Sequence, residues 1–266
     1  STKKPKKIRK LKRIKYVYCD ITKKKLLKKK IKKNFDYVVN LGGNVNHSNK
    51  LQTFKSHYYG CVNLAEFFYK NPPRSFVQMG SSGEYGKIHS PHKEFNKCYP
   101  ISKYQKAKYL SSKYLMRISK EGNFPAVVLR LYQAYGSHQD FNRFIPIIIK
   151  NCLARKKFPC SEGKQFRDFL HVRDVVNAII KSLLKKQAQG NIINIGSGKP
   201  RNIKKVIYYI QSLIGGGNPD FGKIKLRKDE SLKVYPNIKK AWKILGWKPK
   251  INFEKEINNK IKFYAK

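Results

Sequence analysis

The sequence has no run of about eighteen apolar residues, so it offers no candidate transmembrane helix. The basic stretch Ser1 to Arg13 is followed by no apolar core, so it does not read as a secretory signal. Cysteine pairs are missing as well. The five cysteines (Cys19, Cys61, Cys98, Cys152 and Cys160) are scattered, odd in number and free of any C-x-x-C spacing. That argues against a disulfide framework or a zinc site, leaves no metal expected, and fits a reducing, cytoplasmic setting. Glycine is absent from the first 41 positions, Gly42 being the first. Acidic residues are scarce: 15 Asp and Glu stand against 60 Lys and Arg, for a formal net charge of +45.

What is present begins with that charge. A single basic stripe would indicate nucleic-acid binding. Here the lysines run the length of the chain and fall on nearly every expected helix, with Lys3 to Lys15 the densest stretch. The spread disfavours a nucleic-acid partner and reads as lysine usage over a whole surface. Such a field attracts anionic small molecules. With 266 residues, 40% of them hydrophobic, the chain can bury one large core or two small ones.

Short apolar runs alternate with helical patterns. Strands are expected at Tyr16–Cys19, Tyr37–Leu41, Ser75–Met79, Ala126–Leu131 and Asn191–Ile195, with helices at 21–33, 51–69 and 102–119. Continuous apolar strands separated by helices indicate a parallel sheet covered on both faces, the doubly wound α/β class. Beyond it, helical patterns at 144–153, 203–214, 239–245 and 253–264 suggest a smaller C-terminal domain. The expected division is 1–142 with 168–198 for the sheet and 143–167 with 199–266 for the added domain. In such sheets chemistry gathers at the carboxyl ends of the strands, here the loops after Leu41, Met79 and Leu131.

Tyr104 and Lys108 are spaced i, i+4, which puts them on one helix face. An ammonium beside a phenol favours the phenolate, so the tyrosine can exchange a proton near neutral pH. A serine after the adjacent strand can hold the same oxygen. In a chain this rich in Tyr and Lys the spacing is not specific: Tyr99 and Lys103 share it, and a surface helix would carry it too.

The surroundings of Tyr104 are more telling. Gly80-Ser81-Ser82-Gly83-Glu84-Tyr85-Gly86 precedes Pro100-Ile101-Ser102-Lys103-Tyr104 and Lys108. Leu129-Arg130-Leu131-Tyr132-Gln133-Ala134-Tyr135-Gly136, Phe166-Arg167-Asp168-Phe169-Leu170-His171-Val172-Arg173-Asp174, Asn194-Ile195-Gly196-Ser197-Gly198 and Leu245-Gly246-Trp247-Lys248-Pro249 come after them in order. From about Asp20 onward the chain resembles the extended short-chain dehydrogenase/reductases, the NAD-dependent epimerase/dehydratase family. The resemblance implies a Rossmann-like fold, NAD or NADP as cofactor, a nucleotide-diphosphate sugar as substrate and a homodimer. It makes Ser81, Tyr104 and Lys108 the catalytic set, choosing Tyr104 over Tyr99. It assigns Asp20, Ile21, Leu41, Gly42 and Gly43, with Tyr104 and Lys108, to the cofactor. It assigns Ser82, Arg167 and Arg227 to the substrate, the arginines at its phosphates; an ion pair of Arg167 with Asp168 or Asp174 is the competing reading. His47 and His57 stand near the expected pocket, as ligand contacts or as solvated side chains. Asp174 is expected to cap a helix starting at Val175.

The dehydratases of this family carry Asp-Glu after their threonine, where this chain has Ser82 and Gly83; Glu84, one place further, should point elsewhere. Elimination is therefore disfavoured, leaving a 4-epimerase or a 4-ketosugar reductase. The family also opens with a strand and G-x-x-G-x-x-G, which meets the pyrophosphate. Nothing before Asp20 supplies it, and 1–12 reads as the end of the second strand region with the loop and helix after it. The expectation is a chain short of its first βα unit, about thirty residues, with an exposed sheet edge and weak dinucleotide binding. The alternatives are a non-catalytic dinucleotide-fold binding protein and a basic nucleic-acid-binding protein.

Overall fold

A computed structural model describes residues 13–31, 34–44, 48–227 and 230–265. The expectations for 1–12 and for His47 lie outside these residues. The chain divides into two compact units: Ser1–Glu84 with Pro100–Leu129 and Ser182–Ile192, and Tyr85–Tyr99 with Arg130–Lys181 and Ile193–Lys266.

The main sheet has four strands in the order Tyr37–Asn40, Ser75–Ser81, Ala126–Leu131, Asn191–Ile195. Helices flank this parallel sheet in the Rossmann-like, doubly wound manner expected. Val38 pairs in parallel register with Phe76, and Asn40 with Gln78. Ser75–Gln78 and Ala126–Arg130 are buried throughout, as strands covered on both faces are, with the polar Ser75, Gln78 and Arg130 buried among the apolar residues. In the first unit Phe76, Ala126 and Val128 pack against Cys61, Ala65 and Phe68 of one helix and Leu115 and Ile118 of another.

Among the described residues the Tyr37–Asn40 strand pairs only with Ser75–Ser81, and Tyr37 and Val39 on it are 39% and 37% exposed. Tyr16–Cys19 is not a strand, contrary to expectation: among the described residues no strand pairs with it, and a ladder needs a partner to take its N–H and C=O groups. The helix expected over 21–33 is shorter, Lys24–Lys30, because Asp20 to Thr22 form a turn closed by Lys23 N–H on the Asp20 carbonyl.

The helix expected over 51–69 runs Lys50–Phe54, Lys55–Tyr59 and Gly60–Tyr69, with the middle five residues wound as a π-turn. The next helix, Lys103–Gly122, starts at a reciprocal capping box. Gln105 N–H donates to Ser102 Oγ, and Ser102 N–H donates to Gln105 Oε1. Asn123 in the left-handed region ends it.

In the second unit, helices Phe144–Leu153, Ile203–Ile214 and Phe253–Ala265 enclose a core that includes Ile145, Ile149, Ile207, Ile210 and Ile257. A small mixed sheet centres on Phe166–His171, with Gln133–Tyr135 and Lys233–Val234 parallel to it and Pro200–Asn202 antiparallel. Asp174 does not cap a helix starting at Val175. That helix spans Val172–Leu184, and the Asp174 carboxylate accepts instead from the N–H groups of Lys250 and Ile251 at 3.0–3.2 Å.

Candidate active site

The Ser75–Ser81 strand delivers Ser81 at its carboxyl end, and Ser82–Tyr85 turns as a 3₁₀ segment behind it. Ser81 Oγ accepts the Gly83 N–H at 3.1 Å, which fixes the hydroxyl and leaves its own hydrogen to donate. Gly83 in turn lies against Gln105: a Cβ there would come within 3.1 Å of Gln105 Cγ. The serine turn and the start of the Lys103–Gly122 helix are thus in direct contact.

Tyr104 is in the first turn of that helix and half-buried; Lys108, one turn on, is buried. Lys108 Nζ donates to the Met79 carbonyl at 2.7 Å, so the amine is tied to the strand that ends in Ser81. Burial pushes its pKa down, against the pull of Glu84 and then of Cys61. Tyr99 lies ahead of the helix and is 54% exposed, so Tyr104 and Lys108, not Tyr99 and Lys103, share one helix.

Two neighbours complete the surroundings of the Tyr104–Lys108 pair. His57 is not solvated. The π-turn places it in the interior at 7% exposure, its ring edge-on to Tyr104 with centroids 5.0 Å apart. Its Nε2 lies 3.1 Å from the Asn44 carbonyl, which can only accept, so Nε2 carries the hydrogen. Glu84 turns inward and is fully buried, its Oε1 accepting the Ser81 N–H at 2.9 Å. A π-turn has no sequence signature in so short a segment, so the burial of His57 was not legible, although its place near the expected pocket was.

At the carboxyl end of the Tyr37–Asn40 strand, Asn40 Nδ2 donates to Gln78 Oε1 at 2.7 Å and Asn40 Oδ1 accepts the Gly42 N–H at 3.0 Å. Gly43 has φ +147, and a Cβ there would fall 1.9 Å from the His57 ring, so the backbone passes where no side chain fits. Leu41 beside it is 63% exposed. Asp20 Oδ1 takes the N–H and hydroxyl of Thr22, and Ile21 packs its δ-methyl on Gly42 and Gly60. A bare-backbone glycine pair with an exposed leucine, in the unit that carries the buried lysine, fits the flat apolar and polyhydroxyl parts of a nicotinamide dinucleotide.

In the second unit Arg167 and Arg227 line one cavity of about 380 Å³, with Gln133 and Gln165 on its polar side and Phe144 and Phe169 among its apolar residues. Arg167 pairs with neither Asp168 nor Asp174. Its Nη2 meets Glu230 Oε1 at 2.5 Å, and its Nη1 donates to the carbonyls of Phe166 and Leu232. Asp168 is occupied by the Ser197 N–H and hydroxyl, and burial pushes its pKa up to about 6. Arg227 is exposed, with Nε 3.7 Å from the other Glu230 oxygen. Among the described residues no three His, Cys, Asp or Glu side chains converge as a metal site. No helix there is long and apolar enough to cross a membrane.

The parallel sheet flanked by helices is the Rossmann-type α/β fold shared with nucleotide-sugar epimerases and dehydratases. The model of the NAD dependent epimerase/dehydratase family matches residues 1–196, and the chain belongs to that family. It is 26% identical over 212 residues to the UDP-glucose 4-epimerase of Rhizobium leguminosarum bv. trifolii, covering 72% of this chain and 64% of that one. It is 29% identical over 217 residues to the dTDP-4-dehydro-6-deoxyglucose reductase of Escherichia coli, covering 77% and 66%. The crystal structure of dTDP-glucose 4,6-dehydratase from Bacillus anthracis in complex with NAD shares the fold, at TM-score 0.83 and 24% identity over 93% of this chain and 78% of that one. The two curated relatives are thus matched over about two thirds of their own lengths.

Proposed function

We propose that the chain acts on a nucleotide-diphosphate sugar as a 4-epimerase or 4-ketosugar reductase, with NAD or NADP as cofactor and Tyr104 as the acid/base. The observation that carries this reading is the Tyr104–Lys108 pair on one helix, its start locked by the Ser102–Gln105 capping box and its lysine tied to Met79. The nicotinamide, when bound, takes up and gives back a hydride at the sugar carbon. Tyr104 takes the proton of the sugar hydroxyl as that carbon is oxidised and returns it on reduction. Lys108, as ammonium, favours the phenolate of Tyr104. Ser81 donates to the same sugar oxygen and fixes its position. Leu41, Gly42 and Gly43, with Asp20 and Ile21, are the cofactor contacts in this reading, and Ser82 touches the substrate.

The domain division read from the sequence belongs to the same proposal, with the cofactor in 1–142 and 168–198 and the sugar nucleotide in 143–167 and 199–266. The cavity at Arg167 and Arg227 supports the second half, since an apolar wall beside two guanidinium groups suits a nucleobase and a diphosphate. Tyr104→Phe should lower turnover by about 10²–10⁴ with the fold intact; undiminished turnover would remove Tyr104 from the chemistry. Arg227→Ala, at an exposed position, should raise KM about tenfold with kcat and stability little changed. Steady-state kinetics against each candidate nucleotide sugar checks both.

A further inference from the structure

Two residues at the end of the Ser75–Ser81 strand, Met79 and Ser81, are hydrogen-bonded to two buried side chains of opposite charge. The Met79 carbonyl accepts from Lys108 Nζ at 2.7 Å, and the Ser81 N–H donates to Glu84 Oε1 at 2.9 Å. Gly80 lies between them, and a Cβ there would fall 2.6 Å from that same carboxylate oxygen, so the glycine is what lets the carboxylate approach the strand. Glu84 is fully buried and Lys108 is 5% exposed. Either charge alone would be costly in such a setting, and each offsets the other. Burial works against the ammonium of Lys108, and Glu84 is the strongest influence opposing it.

We propose that Glu84 is a positioning residue for the catalytic set: its carboxylate pins the Gly80–Ser81 backbone and holds Lys108 in its charged form beside Tyr104. This rests on the proposed catalytic roles of Ser81, Tyr104 and Lys108. The groups bearing on Lys108 come from each element packed around it. Glu84 approaches from the 3₁₀ turn, the Met79 carbonyl from the strand, and Cys61 from the Gly60–Tyr69 helix. Cys61 is pushed up to about 12 by burial and stays a neutral thiol through the working range. Tyr104 stands on the same helix as Lys108, with the His57 ring against it. Glu84 is therefore the group that supplies negative charge, and without it Tyr104 loses the cation that favours its phenolate.

The test is Glu84→Gln, which keeps the shape and the acceptor for Ser81 N–H and removes only the charge. The full chain, labelled with ¹³C at the lysine ε-carbon and free of nucleotide and sugar, is titrated by NMR, with the Lys108 signal assigned by its loss in Lys108→Arg. The Lys108 midpoint should fall by about one unit or more in Glu84→Gln, as an opposite charge at short range is removed. An unchanged midpoint overturns the proposal. If Glu84→Gln does not fold, the double variant Glu84→Gln/Lys108→Met, which removes both charges, should restore the fold. A double variant that also stays unfolded overturns the proposal. Because none of these readouts needs turnover, they stand apart from the assigned reaction, which fails separately if Tyr104→Phe keeps full activity.

Discussion

His92 is fully buried, with Nδ1 2.9 Å from the Tyr132 hydroxyl and its ring 4.6 Å from that of Tyr85. Burial lowers its pKa to about 4 from 6.5; the Ile88 carbonyl pulls the other way and Arg130 adds to the fall. A base depressed in the folded state stabilises that state fully above about pH 6.5 and loses the contribution as pH falls through about 4. His92→Gln should therefore cost most near neutrality, and its deficit relative to wild type should shrink on acidification, by at most about 3 kcal/mol. Thermal or denaturant unfolding of both proteins between pH 7 and pH 4 checks this; a constant deficit would show that His92 does not titrate in this way. At this scale legibility was uneven. Tyr104 and Lys108 were legible from the ordered motifs around them, since the i, i+4 spacing alone is shared by Tyr99 and Lys103. The burial of Glu84 and His57 was not legible, because it depends on a tight turn and a π-turn that bring strands and helices against them. The Arg167 partner was missed for a related reason: Glu230 reaches it from another segment of the small sheet's surroundings, whereas the sequence offered only the neighbouring aspartates.

Among the elements, the helix that carries Tyr104 depends most on one small contact. Ser102 caps it, and Gln105 answers with bonds to the N–H groups of both Ile101 and Ser102. Ser102→Ala should lower the unfolding free energy by about 1 kcal/mol. If the cap also fixes the tyrosine, kcat should fall more than KM changes, and a variant with lost stability but an unaltered kcat would separate the two roles. Helices with strong 3.6-residue patterns were legible to the residue: 144–153, 203–214 and 239–245 are found as read. The short strands at Gln133–Tyr135 and Pro200–Asn202 were not, because three residues are too few to display an alternating pattern. Tyr16–Cys19 erred in the other direction. Strand-forming residues need a partner strand, and that requirement lies outside the segment itself.

For the whole molecule, the net charge of +45 bears on catalysis through long-range attraction. A nucleotide diphosphate approaching so positive a surface should be steered to it, and salt should weaken that steering as the screening length shortens to about 10 Å at 0.1 M. The ratio kcat/KM should fall as ionic strength rises, while kcat under saturation stays nearly level; a flat kcat/KM would show that the lysines act only as a solvated surface. The fold class was legible at this scale because continuous apolar strands alternating with helices admit few arrangements. Family membership was legible because several short motifs fall in one order along the chain, although each is weak alone. The central claim is hydride transfer at C4 of a nucleotide-linked sugar with Tyr104 moving the proton. It is tested most directly by supplying candidate nucleotide sugars deuterated at C4 together with NAD or NADP. Deuterium passing from the sugar to the nicotinamide in wild type, and a much slower transfer in Tyr104→Phe, is the predicted result. Deuterium lost to solvent, or transferred equally fast by the two proteins, would contradict it.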